Sequence, residues 1–452
     1  MDKNNYSQSQ PNVIWIFSDQ QRAQALGCSG DPNLHTPNLD NLAALGVHMT
    51  GALSGFPLCC PFRGSLLTGK YPHKCVPGHQ YQMPPEQPTI ANVFNEAGYH
   101  TAYFGKWHLD GYHESNGRAA MHVIPRERQG GFQKWIGYEN NNSQWDSWVH
   151  GTDDQESFHY RLPGYETDAL TDLLIDYVKD QGKNKKNQKE KPFFAVLSVQ
   201  PPHDPYVAPA EFMGRHTPGK IQLRKNVPEI PRIVETAKRD LSGAYAMIEN
   251  LDWNLGRIQE ALSQEHLDFD THIIFFSDHG DMHGSHGQFR KTSPYEESIR
   301  IPFIIGGEKM TYNGRHTGRY DVPLNHVDIA PTTLGLCGID VPEWMEGTNY
   351  AHYRLSSARP VQEPDSAYLQ SVIPTGHGDS VDKPWRGLVT RDGWKYVCFE
   401  GIPWLLFNLN EDPYEQANLA HNSVYKDQLK KLNDRLKEWI DDTDDSFILP
   451  AI

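Results

Sequence analysis

Short, almost continuously apolar runs alternate along this chain with longer stretches of helical periodicity. The apolar runs predict buried strands at residues 12–17, 100–104, 193–199 and 272–276. Helical periodicity predicts helices at residues 38–45, 89–97, 167–180, 233–262 and 327–336. Strands that are apolar on both faces are typical of parallel sheets with helices on each side. The pattern therefore predicts an α/β fold with a large central, mostly parallel β-sheet sandwiched by helices.

The pattern changes beyond about residue 354. Short antiparallel strands are predicted at residues 387–390, 394–399 and 405–409. An amphipathic helix at 424–440 then closes the chain. We therefore predict a main domain over residues 11–355 and a smaller C-terminal subdomain of antiparallel strands and a helix over 356–452. The polar residues 1–10 would form a disordered tail.

Two internal segments interrupt the α/β pattern. Periodicity fails over residues 110–165, which are rich in Trp, Asn, Arg and Gly. We predict that this segment leaves the sheet and forms part of the rim of a substrate pocket. The run GKNKKNQKEK at residues 182–191 reads as a solvated loop.

Composition excludes several classes of partner. The chain has 57 acidic and 42 basic side chains, a formal charge of −15, which argues against nucleic acid or an anionic membrane as the main partner. No apolar run approaches the roughly 20 residues of a membrane span. The first ten residues lack the apolar core of a signal peptide, which predicts a cytoplasmic protein if this beginning is native. A periplasmic or secreted location is expected if a leader has been removed, and the oligomeric state stays open.

The segment at residues 59–69, CCPFRGSLLTG, carries the clearest chemical signal. Pro61 suits the first turn of a helix, so Cys59 would lie where free backbone N–H groups and the positive end of the helix dipole point. Such a position binds anions. Arg63 adds a fixed positive charge one turn further along. The alternative interpretation of this segment alone is a helix start with a buried thiol.

Polar side chains also recur where the predicted strands end. Asp19 comes directly after the first strand, and Asp278 and His279 come after the last one. Ligands collect at the carboxyl ends of strands in open α/β sheets. Lys106 and His108 follow the second strand, and alternate residues of an extended chain point to the same side. We therefore expect both to face a bound anion, with the intervening tryptophan packed behind them.

Taken in order, these segments resemble the type I sulfatases of the alkaline phosphatase superfamily. The matching segments are SDQQR at 18–22, CCPFRGSLLTG at 59–69, GKWH at 105–108, QPPHDP at 200–205, FFSDHGD at 275–281, KTSPYEE at 291–297, DIAPT at 328–332 and LFNLNEDP at 406–413. The resemblance runs from about residue 11 to about residue 420. In that family the first cysteine of a Cys-x-Pro-Ser-Arg signature is oxidised to formylglycine. Cys59 occupies this position, and Phe62 replaces the usual Ser, Ala or Thr.

The resemblance also implies the cofactors of the site. A formylglycine-generating maturation enzyme would convert Cys59, and one divalent metal would bind beside it. The implied metal ligands are Asp19, Gln20, Cys59, Asp278 and His279. Such an oxygen-rich set suits Ca²⁺ best, and Mg²⁺ or Mn²⁺ less well. The alternative for Gln20 is an outward-facing loop amide, and His283 and His286 would stand behind the ligands rather than hold a second metal.

The remaining polar residues receive roles from the same resemblance. Arg63, Lys106 and Lys291 would neutralise the sulfuryl oxygens of the substrate. His203 would protonate the leaving oxygen, and His108 would accept the proton whose loss expels sulfate and restores the aldehyde. The main domain would then be the catalytic domain.

The function implied by the resemblance is hydrolysis of a sulfate ester. A sulfated carbohydrate is the expected substrate, because residues 110–165 and the loop TGHGD at 375–379 are rich in polar and aromatic side chains. Small aryl or choline sulfates stay open as substrates. Two alternatives remain: a phosphonate monoester or phosphodiester hydrolase on the same scaffold, and a non-catalytic glycan-binding relative.

Overall fold

A ten-stranded mixed β-sheet forms the centre of the computed structural model, which describes residues 10–153, 156–186, 191–307, 315–376 and 381–452. Its strands are β1 (Asn12–Ser18), β2 (Val47–Met49), β3 (His100–Lys106), β4 (Lys134–Tyr138), β5 (Trp148–Asp153), β6 (Glu156–Arg161), β7 (Phe193–Ser198), β8 (Thr271–Ser277), β9 (Phe303–Gly306) and β10 (Gly318–Tyr320). Their order across the sheet is β10-β2-β9-β8-β1-β7-β3-β4-β5-β6. Residues 1–9 of the predicted tail lie outside the described ranges.

Helices cover both faces of this sheet. They are α1 (Pro37–Leu45), α2 (Cys59–Thr68), α3 (Ile90–Glu96), α4 (Glu166–Lys186), α5 (Ala210–Met213), α6 (Pro231–Gln264), α7 (Glu296–Ile299), α8 (Ile329–Leu336) and α9 (Lys426–Asp442). Among the described helices, none combines the length and the apolar composition that crossing a bilayer requires.

The middle of the sheet is parallel. Strands β8, β1, β7, β3 and β4 all run in the same direction, whereas β9 is antiparallel to both of its neighbours and β5 and β6 are antiparallel at the far edge. This arrangement confirms the predicted α/β fold with a mostly parallel sheet between helices. It also places the carboxyl ends of five consecutive strands along one edge of the sheet.

Strand β1 shows why the apolar runs are continuous. Val13, Trp15 and Phe17 point into a core that they share with α2, α3 and α8. Ile14 and Ile16 point the other way, into a second core shared with α1, α4 and α6. Because side chains alternate between the faces of a strand, a sheet covered on both sides needs apolar residues at every position.

Residues 110–165 return to the sheet, so the prediction that they leave it was wrong. They contain β4, β5 and β6, which extend the parallel strands by an antiparallel edge. The side chains of β6 are almost all exposed, so this strand has no apolar run that would reveal it. An edge strand with one solvated face can be polar throughout, and this is why periodicity missed it.

Residues 182–191 were also predicted incorrectly in part. Helix α4 continues through Lys186, four residues beyond the start of the predicted loop, and Lys183 forms an exposed ion pair of 2.9 Å with Asp180 one turn earlier. A polar helix end carries no apolar stripe and so resembles a loop in sequence. Residues 187–190 of the predicted loop lie outside the described part of the chain.

The C-terminal region forms a second, four-stranded antiparallel sheet, as predicted. Its strands are β11 (Ser366–Ser371), β12 (Trp385–Thr390), β13 (Trp394–Phe399) and β14 (Ile402–Asn408), in that order. Leu429, Leu432 and Leu436 of α9 pack on one face of this sheet. The sequence missed β11, and residues 377–380, which include most of the predicted polar loop, lie outside the described ranges. The division of the chain at residue 355 stays a prediction.

Candidate active site

The predicted site residues converge where the parallel strands end. Asp19 and Gln20 follow β1, Asp278 and His279 follow β8, and Lys106 is the last residue of β3. Helix α2 directs its N-terminus at the same place, with Cys59 as its first residue and Arg63 one turn further on. His203 lies in the turn after β7, and Lys291 comes from the loop that follows β8.

Four donor groups are close enough to share one cation. One ligand atom from each of Asp19, Cys59, Asp278 and His279 lies within 4.8 Å of all the others, and all four residues are buried. The Cys59 Sγ atom is 3.5 Å from Asp19 Oδ1 and 3.2 Å from His279 Nε2. Two carboxylates, an imidazole and a group at the cysteine position form a donor set that fits a divalent cation.

The imidazole of His279 is oriented for ligation. Its Nδ1 atom lies 3.0 Å from the carbonyl oxygen of Gly280, which can only accept a hydrogen bond, so Nδ1 carries the proton and Nε2 faces the carboxylates. Burial lowers the pKa of His279, but the Asp278 carboxylate and Cys59 together outweigh burial and leave that pKa above its ordinary value. A positive charge between the two carboxylates is therefore favoured.

Gln20 is buried inside this cluster, which contradicts the alternative of an outward-facing loop amide. Its Nε2 atom donates to Asp281 Oδ2 over 2.7 Å, and this contact fixes the direction of the amide. The amide oxygen is buried and has no hydrogen-bond partner among the described residues. A buried carbonyl oxygen without a partner is costly, and a cation ligand position would satisfy it.

Arg63 connects the helix to the ends of four strands, β1, β3, β7 and β8. Its Nη1 atom donates to the Lys106 carbonyl oxygen over 2.9 Å and to Ser198 Oγ over 2.8 Å. Its Nη2 atom lies 3.1 Å from Asp19 Oδ2 and 3.4 Å from Asp278 Oδ2. The planar guanidinium thus sets the positions of both carboxylates, which a lysine could not do with a single ammonium.

Lys106 pairs with the same carboxylate. The Lys106 ammonium is 2.7 Å from Asp19 Oδ2, and both side chains are fully buried. Burial alone would raise the pKa of Asp19, but Lys106, His203, Lys291 and Arg63 together hold that pKa well below its usual range. Asp19 is therefore ionised at all ordinary pH values, as a metal ligand must be.

Lys291 bridges the cysteine and one histidine. Its ammonium is 3.2 Å from Cys59 Sγ and 3.1 Å from His203 Nε2. His203 Nδ1 lies 2.8 Å from the Asp204 carbonyl oxygen, so the proton of the neutral ring is at Nδ1 and Nε2 accepts from Lys291. Burial and the Lys291 charge lower the pKa of His203 to about 3. In the protein without substrate, the proton between Lys291 Nζ and His203 Nε2 therefore resides on Lys291.

His108 lies beside Lys106 but not for the predicted reason. Trp107 does pack behind, against Tyr103, Phe132 and Trp135. The extended conformation ends at Lys106, however, because His108 has a φ of 57°, so strand alternation does not set its direction. Burial and the Lys106 charge lower the pKa of His108 well below its ordinary value, which keeps the ring neutral.

The departure from the family signature is accommodated in the core. Phe62 is buried, with its ring stacked on His326 at 4.9 Å and tilted against Phe276 at 6.4 Å. The side chain at this position points away from the site and into apolar packing. The usual small residue is therefore not needed for the folded geometry.

Sequence reasoning missed two residues that complete the site: Ser198, which accepts from Arg63, and Asp281, which orients Gln20. His283, which we predicted to stand behind the ligands, lies 3.7 Å from Asp281. His286 is further away, stacked on Tyr295. The spacing SDHGD could have indicated Asp281, because it places a second carboxylate in the same loop as Asp278.

Comparison with known proteins agrees with this geometry. The sulfatase family model matches residues 11–339, and the model of the C-terminal part of N-sulphoglucosamine sulphohydrolase matches residues 284–442. An ulvan-active sulfatase of Formosa agariphila is 32% identical over 446 residues, covering 97% of this chain and 83% of that protein. An N-acetylglucosamine-6-O-sulfatase of Bacteroides thetaiotaomicron is 25% identical over 513 residues, covering 95% and 86%.

Solved structures show the same architecture. The crystal structure of the sulfatase yidJ from Bacteroides fragilis superimposes with a TM-score of 0.83 at 27% identity, covering 97% of each chain. The match includes both the ten-stranded sheet and the C-terminal sheet, since it spans almost the whole chain. Together with the family model and the relatives, this establishes that the chain belongs to the sulfatase family and is a sulfuric ester hydrolase.

Proposed function

We propose that this sulfatase acts on a sulfated carbohydrate, with Cys59 converted to formylglycine and a calcium ion bound beside it. The observation that carries the proposal is the position of Cys59 Sγ. It is 3.2 Å from His279 Nε2, 3.5 Å from Asp19 Oδ1 and 3.2 Å from Lys291 Nζ. An oxygen nucleophile formed at this position would touch the cation ligands on one side and a sulfate-binding cation on the other.

The donor set supports calcium as the metal. Asp19, Gln20 and Asp278 offer oxygen atoms, and His279 is the only imidazole of the set. Hard oxygen donors favour Ca²⁺, whereas zinc prefers more nitrogen and sulfur. When bound, the cation lowers the pKa of the hydrated formylglycine and so provides a nucleophile at neutral pH.

The protein's own cations would hold the sulfuryl group. Arg63 and Lys106 are fixed by buried contacts with Asp19, and Lys291 stands on the opposite side of Cys59. A sulfuryl oxygen next to these groups meets positive charge that is already in place, so little reorganisation is needed in the transition state. The free N–H groups at the start of α2 add to this field.

The pair formed by Lys291 and His203 supports the acid role. A sulfate group bound at Lys291 would offset the positive charge that now depresses the pKa of His203, so a proton could move to His203 Nε2. That nitrogen would then face the leaving oxygen. His108, which burial keeps neutral, retains a lone pair with which to accept a proton in the later step that releases sulfate.

The surroundings of His203 favour a carbohydrate. A cavity of about 300 Å³ is lined by polar residues of the segment 110–165, namely Glu114, Arg118, Asn140, Asn141, Asn142, Ser143 and Asp146. Two of its lining residues contact Gln200, which precedes His203 in the turn after β7: the Asn141 N–H group donates to Gln200 Oε1 over 3.3 Å, and Gln200 Nε2 donates to Asn142 Oδ1 over 3.2 Å. Hydroxyl groups of a sugar need such donors and acceptors. The two relatives compared above are a sulfatase active on ulvan and one active on N-acetylglucosamine 6-O-sulfate.

Substrate class is tested by measuring release of the alcohol or phenol product from three kinds of substrate at equal metal saturation. We expect a higher kcat/KM on sulfated saccharides than on an aryl sulfate, although the aryl sulfate has the better leaving group, because the polar cavity contributes binding energy only with the sugar. A matched aryl phosphonate should be the poorest substrate. A preference for the aryl sulfate over every sulfated saccharide would refute the carbohydrate proposal.

Maturation is tested by peptide mass spectrometry of protein produced together with a formylglycine-generating enzyme. We expect an aldehyde at Cys59 and a free thiol at Cys60, because the spacing to Pro61 and Arg63 counts from Cys59. The Cys59→Ala protein serves as the control and should be inactive. Conversion of Cys60, or full activity of protein with an intact Cys59 thiol, would show that the nucleophile is assigned wrongly.

Metal identity is tested by chelation followed by calcium titration, with bound metal measured by elemental analysis. We expect chelation to abolish activity and one Ca²⁺ per chain to restore it. Gln20→Leu removes one ligand and should weaken Ca²⁺ binding by roughly 10–100-fold. Gln21→Leu is the control, because the Gln21 amide oxygen already accepts from Ser18 Oγ over 2.9 Å, and this variant should bind Ca²⁺ normally. Two zinc ions per chain, or activity that survives exhaustive chelation, would contradict the proposed site.

The roles of His203 and His108 are distinguished by varying the leaving group of the substrate. His203→Ala should reduce kcat by about 10²–10⁴-fold on an alkyl or sugar sulfate but much less on an activated aryl sulfate, whose phenolate needs little protonation. His108→Ala acts at a later step, so it should release one equivalent of alcohol rapidly and then stall on both substrates. Rapid-mixing assays of alcohol release measure both effects. If His203→Ala reduced kcat equally on the two substrates, the acid role would be assigned to Lys291 instead.

A further inference from the structure

A second group of metal-binding side chains lies next to the calcium site. Cys60, His79 and His108 each place one ligand atom within 4.8 Å of the other two. Cys60 and His108 are buried, and His79 is half-buried. The Cys60 Sγ atom is 3.9 Å from His79 Nδ1, and the rings of His79 and His108 meet edge to face with centroids 5.6 Å apart.

An independent observation indicates that this group of side chains binds a ligand. His108 is only 4% exposed, yet its Nδ1 atom has no hydrogen-bond partner among the described residues. A buried ring nitrogen without a partner is costly and is normally satisfied by a protein group, a water or an ion. A cation held by His108 together with Cys60 and His79 would satisfy this ring.

We propose that Cys60, His79 and His108 bind a soft divalent cation such as Zn²⁺, and that occupation of this site inhibits the sulfatase. One sulfur and two imidazole nitrogens favour zinc and related ions over calcium. The set is therefore chemically distinct from the oxygen-rich set of Asp19, Gln20 and Asp278. Three protein ligands leave a fourth tetrahedral position open for water.

The distances require only small movements. Zn–S and Zn–N bonds of about 2.3 and 2.0–2.1 Å place sulfur and nitrogen about 3.6 Å apart in a tetrahedral site. The observed separation of Cys60 Sγ and His79 Nδ1 is 3.9 Å, so a shift of a few tenths of an ångström closes it. His79 lies in a surface loop, where such a shift is cheap.

Binding exchanges a proton for the cation. Cys60 is a free cysteine and so brings an S–H group to the site. On binding, the S–H bond breaks, an S–Zn bond forms and the proton leaves to solvent. The Gln80 N–H group, 3.4 Å from Cys60 Sγ, would donate to the resulting thiolate.

Inhibition follows from the identity of the third ligand. His108 is the proposed proton acceptor, and when zinc takes the lone pair of one ring nitrogen the hydrogen of the neutral ring lies on the other, so neither nitrogen can accept a proton. The inhibitory effect therefore rests on the proposed function, whereas cation binding does not. This separation lets experiment distinguish the failure of one from the failure of the other.

Binding is tested with Co²⁺ in the full chain carrying Cys59→Ser, so that the neighbouring thiol cannot contribute, and with Ca²⁺ present in excess. We expect one Co²⁺ per chain and a thiolate-to-cobalt charge-transfer absorption. Addition of Cys60→Ala should abolish this absorption. Addition of Cys75→Ala, which removes another buried thiol outside the group, should leave it intact.

Several results of this binding experiment would refute the proposed site. If Cys60→Ala keeps the absorption, or if no thiolate absorption arises in the Cys59→Ser protein, the site is refuted. His79→Gln replaces a half-buried loop residue and so tests the site even if Cys60→Ala does not fold. It should weaken Co²⁺ binding by at least about 10-fold, and unchanged affinity would also refute the site.

Inhibition is tested with the mature enzyme at saturating Ca²⁺ by titrating Zn²⁺ into the sulfate-release assay. Relative to its own uninhibited rate, each of Cys60→Ala and His79→Gln should need at least about 10-fold more Zn²⁺ for half-inhibition, whereas Cys75→Ala should match the unchanged protein. Zinc binding without inhibition would overturn the inhibitory role and the assignment of His108 as proton acceptor. Equal inhibition of all four proteins would place the inhibitory ion elsewhere.

Discussion

The buried guanidinium of Arg63 is the contact on which the site depends. Two carboxylates, Asp19 and Asp278, end neighbouring strands and would repel each other in an apolar interior. Arg63 lies within 3.4 Å of both, and its other nitrogen is held by the Lys106 carbonyl oxygen and Ser198. One side chain thereby fixes helix α2 to the ends of β1, β3, β7 and β8. Buried charges are costly unless they are paired, so losing the guanidinium would remove the 3.4 Å ion pair of Asp278 and leave Asp19 with its 2.7 Å ion pair to Lys106.

The parallel sheet makes this arrangement possible. Adjacent parallel strands end at the same edge, so residues far apart in sequence meet without any long-range signal between them. The backbone of Gln20 illustrates the result, because its N–H group donates to Asp278 Oδ1 over 3.0 Å across 258 positions of sequence. The helix dipole of α2 and the cations Lys106 and Lys291 then converge on one small volume. The topology of the sheet therefore brings the charged groups of the site together in one place.

The sequence predicts those parts of the molecule that local patterning determines. The buried strand β1 is evident because both of its faces are covered, and the N-terminus of α3 is evident because Thr89 caps it with a bond from the Ala91 N–H group. The exposed strand β6 has no such signal, because positions that face solvent tolerate any polar residue. Motif order predicted Asp19, Cys59, Arg63, Asp278 and His279, which the structure brings together. His79 could not be found in this way, because only folding brings its loop back to Cys60.

The complete burial of α2 has a consequence for the timing of biosynthesis. All ten residues of the helix, from Cys59 to Thr68, are inaccessible to solvent, and Phe62 and Leu66 are enclosed in the central core. Under the proposed conversion of Cys59 to formylglycine, the maturation enzyme would have to hold the surrounding peptide, including Pro61 and Arg63, in its own cleft. The buried helix offers no such access once the sheet and helices have assembled. Under this proposal, oxidation and folding compete for the same nascent segment, and a chain that folds first stays unconverted and inactive.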